Sequence, residues 1–477
     1  MRQSSPFLRG GNLRQSLGGT LNDLLARLPP ATLRDIKAAV EAEGFARGLA
    51  YEDADGVPRP TPILLRPRVL GGNQRAYLHH ISLVLEGAYL KLFRLWNEQE
   101  SVRRLLPVTE PEARWLRDLR PTVANHHEVL FGRFDASTDF GSPDWVRSTQ
   151  FFEYNPVGAG GTHLAATVDD VILKHVVPAL RRHAPTLILE TNDDPRKVLL
   201  EVLADHARSL DLRRFNVALV QFKDAPGGVN EFPANVEYLR SLGLDCWHVD
   251  PAELRLRGDE LFYGDVPIDL VYRDHEVAEL AEAEVAGHDL SALKHAMRRG
   301  RVVSSLAGEL DHKSAFQIFT SPEFEGAFNT DERRVFQRHV PWTRVIADVR
   351  TPGPDGEPVD LLEYLVGFRE QCVLKPNRAY GGEGILIGPQ ATQAEWQTAL
   401  ERAVSEPDTW VVQGYRPLAE KDFPVIDADG KLSQAEYFSV LGLFPSTQRL
   451  GILGRASRAK VVNVSQKGGL VAVLRLL

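Results

Sequence analysis

QCVLKPNRAYGGEGILIG, residues 371–388, reads as an apolar strand ending at Lys375, a polar glycine-rich turn and a second apolar strand. Gly381, Gly382 and Gly384 permit positive φ and close approach of the backbone to a ligand. Successive N–H groups in such a turn can form a concave anion site. Lys375 stands just upstream, where its ammonium could reach the same anion. The pattern suggests phosphate, with ATP as its carrier. It is not a Walker A loop, in which the lysine follows the glycines and a helix starts. It also lacks the protein-kinase order, glycine loop before lysine. A plain β-hairpin with a glycine-rich turn fits the same residues, so the rest of the chain has to decide.

The 477 residues leave room for roughly two to four domains. An apolar fraction of 43% and a charged fraction of 25% are those of a soluble globular protein. Net charge −8 and a pI near 6.0 argue against nucleic acid or an anionic membrane as the main partner, while allowing a local basic pocket. Cys246 and Cys372 form no C-x-x-C pair, which excludes a disulfide scaffold or structural zinc and fits a reducing compartment. The N-terminus lacks the apolar core of a signal peptide. No run of about 18 apolar residues predicts a membrane span. The cytoplasm is the expected location.

Residues 1–20, rich in Gly, Ser and Arg, read as disordered, and residues 21–118 as a helical region. Within it, Leu78, Ile81, Leu85, Ala88, Leu92 and Leu95 make one apolar helix face. Two strand-like runs follow, HHEVLFGRFD (residues 126–135) and TQFFEYN (residues 149–155). Polar residues two apart share one face of a strand, with Phe134 and Tyr154 on the other. If the strands are antiparallel neighbours, Asp135, Glu153 and Asn155 converge as hard oxygen ligands that suit Mg²⁺ carrying nucleotide phosphates. Arg133 would contact the phosphates. A solvent-facing strand surface has the same alternation. The next turn, PVGAGGTH (residues 156–163), runs into a predicted helix over 164–177. Its amides suggest an anion or oxyanion pocket, and His163 is a candidate base.

Residues 187–274 read as an α/β unit. Asp194 caps a helix opened by Pro195, and strands over 216–222, 245–249 and 268–272 alternate with helices, which predicts a parallel sheet. Ligands bind outside the carboxyl ends of such strands. Arg273 stands at one of them and is a candidate for gripping a carboxylate or phosphate, with a surface charge cluster as the alternative. Lys313 opens a short helix and could be a second lysine for ATP. Residues 409–415, TWVVQGY, form a strand whose exit could offer backbone groups to adenine. Residues 437–444, 452–457 and 461–469 read as short strands, with Arg455, Arg458 and Lys467 adding positive charge.

This set of motifs resembles an ATP-grasp ligase of the circularly permuted branch that includes glutathionylspermidine synthetase. Arg133-Phe134-Asp135 and Glu153-Tyr154-Asn155 precede Lys313 and Val373-Leu374-Lys375-Pro376, which is the permuted order. The fold class implied is α+β with α/β: a permuted ATP-grasp with an N-terminal helical region and a parallel-sheet domain like the one preceding the grasp. The expected boundaries are 119–185 for the metal-binding part, 186–280 for the α/β domain and 281–477 for the nucleotide-gripping part. The resemblance implies Asp135, Glu153 and Asn155 as Mg²⁺ ligands, Arg133 on the phosphates, and Lys313 and Lys375 on the α- and β-phosphates. It implies a lid made of Tyr380, Gly381, Gly382 and Gly384, adenine beside Val412 and Gln413, and ribose near Glu420. The turn PVGAGGTH departs from the polar run of the spermidine-conjugating enzymes, and no cysteine amidase domain precedes it.

The implied activity is ATP-dependent C–N ligation: a carboxylate becomes an acylphosphate with release of ADP, and an amine then attacks, the GAGG amides holding the oxyanion. The partners expected are small-molecule or peptide carboxylates and amines, without nucleic acid or membrane, and with a homodimer as one option. Two alternatives share the ATP site: a kinase acting on a small-molecule hydroxyl, and a catalytically inactive ATP-grasp binding module.

Overall fold

The alternation at residues 133–155 becomes the outer antiparallel pair of an eight-stranded sheet in the computed structural model, which describes residues 13–52, 57–121, 127–223, 230–379, 381–459 and 468–477. In chain order, the strands that build the site and its supports start with β1 (Ile63–Leu70), β2 (Arg133–Ser137), β3 (Gln150–Asn155) and β4 (Leu189–Thr191). The α/β unit supplies β5 (Val217–Val220), β6 (Cys246–Val249), β7 (Leu270–Arg273) and β8 (Val302–Val303). Then follow β9 (Thr343–Val345), β10 (Cys372–Pro376), β11 (Leu386–Ile387) and β12 (Trp410–Gly414). The chain ends with β13 (Ala419–Ile426), β14 (Leu432–Pro445), β15 (Leu450–Ser457) and β16 (Gly469–Leu476). The helices that matter most are α1 (Gly72–Glu98), α2 (Thr162–His175), α3 (Phe232–Ser241) and α4 (Ala315–Thr320).

The large sheet runs β1-β16-β15-β14-β2-β3, with β13 on β14 and β4 on β16. Helix α1 covers one face: Leu78, Leu85 and Leu92 are fully buried in one cluster with Phe134, Tyr154 and Leu441. Helix α2 covers the other, with Val168 and Ile172 in a cluster with Leu453, Leu470 and Ala472. Each large apolar side chain so buried contributes roughly 1.5–3 kcal/mol. Because β15 and β16 are covered on both faces, they carry nearly continuous apolar runs instead of alternation. The α/β unit is the expected parallel sheet, β8-β7-β5-β6, with every neighbour parallel. A separate antiparallel sheet, β9-β12-β10-β11, holds the glycine-rich hairpin.

Four expectations need correction. The sequence up to residue 20 reads as disordered, yet a helix spans Leu13–Ala26, while residues 1–12 lie outside the described residues. The helical region also contributes β1, whose Pro67 and two arginines break the strand pattern; a proline is tolerated in a strand near the margin of a sheet. The boundary at 281–477 divides differently in space. Strands β13 to β16 leave the lysine-bearing sheet and join β2 and β3, Gly442 lying opposite Asp135. The strand foreseen over 126–135 starts only at Arg133, because residues 129–131 bond to Ser304 and Ser305 instead of a ladder partner. Both cysteines are free and buried, and among the described residues no helix is long and apolar enough to cross a membrane.

The Phe134 and Tyr154 rings stack 3.8 Å apart and 13° from parallel beneath the polar face. Phe134→Ala is expected to destabilise the fold by ~3–5 kcal/mol, read as a lowered midpoint in urea with unchanged far-UV circular dichroism before the transition.

Candidate functional site

The register of β2 on β3 pairs Arg133 with Asn155 and Asp135 with Glu153. Directly opposed residues share a face, so the four polar side chains stand together and Phe134 and Tyr154 point into the core. Phe152 has no partner between the Asp135–Glu153 and Ala136–Phe151 pairs, a bulge that redirects its ring. Asp135 is 5% exposed and lies between two guanidiniums. Arg133 donates Nε to Oδ1 at 2.7 Å and Nη2 to Oδ2 at 3.1 Å. Arg455, from β15, brings Nη2 to 2.7 Å from Oδ1 as an ion pair without hydrogen-bond geometry. Burial alone would raise the Asp135 pKa, but Arg133 and Arg455 outweigh it and hold the carboxyl far below the ordinary range. Asn155 Nδ2 donates to the Arg133 carbonyl at 3.3 Å, a bond that leaves Oδ1 uncommitted.

The lysine-bearing sheet meets this strand pair. Lys313 Nζ lies 3.4 Å from Glu153 Oε2 and donates to the Ala379 carbonyl at 2.6 Å, at the base of the glycine loop. Asn377 ties the two lysine segments together: its carbonyl accepts from Lys313 N at 3.0 Å and its Oδ1 from Ser314 N at 2.9 Å. Lys375 Nζ lies 5.6 Å from the centre of the Phe152 ring, the ring that the bulge has turned. Burial pushes the Lys375 ammonium down to about 8 from the ordinary 10.5; Glu153 opposes the shift and Lys313 adds to it. Four cationic side chains thus stand around the two carboxylates.

In the glycine loop, Gly381, Gly382 and Gly384 have φ of 69°, 76° and 70°, the left-handed region that the sequence predicts for them. Tyr380 lies outside the described residues, as does the side chain of Glu420, whose backbone pairs with Phe438. Val412 and Gln413 occupy the middle of β12, paired with β9 on one side and β10 on the other. Their backbone groups are spent on the sheet, and at the strand exit Tyr415 N donates to the Gln371 carbonyl at 2.7 Å. Gln413 is 2% exposed, and its Nε2 has no hydrogen-bond partner among the described residues.

Other candidates have internal duties. Arg273 does end β7, but it is 1% exposed and fully engaged: Nη1 pairs with Glu309 at 2.5 Å, and Nε, Nη1 and Nη2 donate to the carbonyls of Ser304, His275 and Ser305 at 2.8–2.9 Å. It ties the strand end to the segment after β8 and presents no fork to a ligand. Of the GAGG amides foreseen for an oxyanion, that of Gly161 already holds the buried carboxylate of Glu231, donating to Oε2 at 2.5 Å, while His163 N and Leu164 N donate to Oε1 at 3.0 and 2.9 Å. Burial raises the Glu231 pKa, and the three donors act against that rise. His163 is not a free base, since Nε2 donates to the Arg47 carbonyl at 2.6 Å and Nδ1 accepts from Arg196 at 3.1 Å.

Sequence reasoning saw Arg455 only as positive charge and gave Glu231, Asn377 and Gly442 no role. Gly442 offers a signal in hindsight, a glycine inside a long apolar strand. A Cβ there would sit 2.5 Å from Arg133 Cδ. Gly442→Ala is expected to displace Arg133 and weaken polyphosphate binding about tenfold with little loss of stability, measured by calorimetric titration with pyrophosphate. The Lys375 shift has its own consequence. An anion favours the ammonium, so binding near pH 8 should take up a proton, and affinity should fall as pH rises from 7 to 9. Titrations in buffers of different ionisation enthalpy measure that uptake.

No family model matches the chain. Uncharacterized proteins of Mycobacterium tuberculosis and Mycobacterium leprae are 24% identical over 432 and 438 residues, covering 83% and 84% of this chain and 69% of each relative. Among solved structures, a glutathione synthetase-like effector from Globodera pallida, in its apo form, matches with a TM-score of 0.63 over 94% of this chain and 98% of its own, at 10% identity. At that identity the likeness concerns architecture. The chain has a glutathione synthetase-like fold.

Proposed function

We propose that the protein is an ATP-dependent carboxylate–amine ligase with a circularly permuted ATP-grasp arrangement. The observation that carries this reading is the cationic cluster of Arg133, Arg455, Lys313 and Lys375 around Asp135 and Glu153, with Lys313 touching both Glu153 and the base of the glycine loop. A buried excess of positive charge fits a polyanion, and paired carboxylates among the cations fit a hard divalent ion accompanying it.

Among the described residues no three His, Cys, Asp or Glu side chains are arranged to hold a metal. The candidate set has two carboxylates and one amide, which is adequate for Mg²⁺ that takes its remaining ligands from water and phosphate. Asp135 is held ionised, as a ligand must be. Asp135, Glu153 and Asn155 would hold Mg²⁺, which neutralises phosphate charge when bound. Lys313, Lys375, Arg133 and Arg455 bind the phosphates and stabilise charge on the transferring group. The glycine loop closes over them and excludes water. The unpartnered Gln413 Nε2 suits an acceptor on adenine. A substrate carboxylate attacks the γ-phosphoryl group to give an acylphosphate and ADP, and an amine then displaces phosphate. With the Gly161 amide already holding Glu231, the arginines are the side chains available to the oxyanion.

The test is ADP release with Mg·ATP against amino acids, polyamines and short peptides. Release that requires both a carboxylate and an amine is expected, and Lys375→Ala should lower it by about a hundredfold while far-UV circular dichroism stays unchanged. A stable phosphorylated hydroxyl product formed without amine would replace the ligase with a kinase.

A further inference from the structure

We infer that Glu231 is a positioning residue for Arg133, acting through a single peptide group. Gly161 N–H, which donates to Glu231 Oε2 at 2.5 Å, and Gly160 C=O, which accepts from Arg133 Nη1 at 2.6 Å, are the two ends of one peptide. That unit is planar, so its N–H and C=O turn together. Rotating the peptide away from Glu231 takes the carbonyl away from Arg133. The carboxylate also polarises the peptide and makes its carbonyl the better acceptor.

The surroundings hold this peptide in one orientation. Gly161 has φ of 101°, and the Leu453 side chain fills the place where a Cβ would stand, 2.5 Å away. Gly158 has φ of 59° with the Asp274 carbonyl 2.5 Å from its own Cβ position. Glu231 directly precedes α3, and Asn235 in that helix bonds to Thr162, so the α/β unit grips the turn at two points. Three of the five Arg133 donors are thereby committed, two to Asp135 and one to Gly160, and the remaining ones are left for a ligand. The function of Glu231 is to aim those remaining donors. Its negative charge is needed because glutamine would bring an N–H₂ group against backbone donors.

This inference rests on the nucleotide reading of the site, and the experiment separates the two. Mg·ATP affinity is measured by calorimetry for the wild type, Glu231→Gln, Arg133→Ala and the double variant, with a melting temperature for each and a crystal structure of Glu231→Gln. Glu231→Gln is expected to weaken Mg·ATP binding about tenfold when Arg133 is present and less than about twofold when it is absent. Its effect on melting temperature should be the same in both backgrounds, which a merely structural role would not combine with coupled affinities. In the crystal, Arg133 should have left the Gly160 carbonyl. Equal losses of affinity in both backgrounds, or Arg133 still on Gly160, overturn the inference. A wild type that does not bind Mg·ATP overturns the nucleotide reading instead, and the Arg133–Gly160 contact in the crystal then decides on Glu231 by itself. If Glu231→Gln does not fold, Glu231→Asp, which withdraws the charge by one methylene, goes through the same cycle.

Discussion

The antiparallel register of Arg133–Asp135 on Glu153–Asn155 is the constraint on which the site depends. Side chains alternate along a strand, so a slip of one residue would exchange the polar face for the aromatic one. The Phe134–Tyr154 stack resists that slip, since either ring would otherwise be driven out of a core in which both are almost fully buried. The apolar face thereby sets the geometry of the polar face. Helix α1 closes the arrangement from behind, with Tyr89 packed at 4.8 Å against Tyr154.

On this frame the chain assembles charge from segments far apart in sequence. Arg133 and Asp135 come from β2, Arg455 from β15, Lys313 from the turn before α4 and Lys375 from β10. Burying like charges together is unfavourable unless counter-ions are present. Asp135 and Glu153 supply part of the compensation, while burial, with Lys313 adding to it, lowers the Lys375 pKa. The four cations thus outnumber the two carboxylates they surround. Glu231 is a different case, a buried carboxylate held by three backbone amides.

Several parts of this design were legible in the residues. The polar alternation of RFD and EYN, the left-handed glycines of the loop, the Asp194–Pro195 helix start and the parallel α/β unit all follow from local rules of period, capping and backbone freedom. Arg273 shows where such rules stop. Its place at a strand end was foreseen, but its engagement with Glu309 depends on a segment more than thirty residues away. The GAGG amides were recognisable as an anion site, while the anion that the Gly161 amide holds comes from seventy residues downstream. Strand β1 was missed because its arginines and proline hide the strand period.

By itself, the sequence determined which residues could carry the chemistry: period places Asp135, Glu153 and Asn155 on common faces, and glycine marks where the backbone must turn left-handed. Tertiary structure alone decided which of these groups meet. It brought Arg455 to Asp135, spent Arg273 inside the fold, and moved strands β13 to β16 from the lysine-bearing sheet to the carboxylate-bearing one. The physical reason is that ion pairing and sheet pairing act through space between groups hundreds of residues apart, whereas period and turn chemistry act only within a few residues of chain.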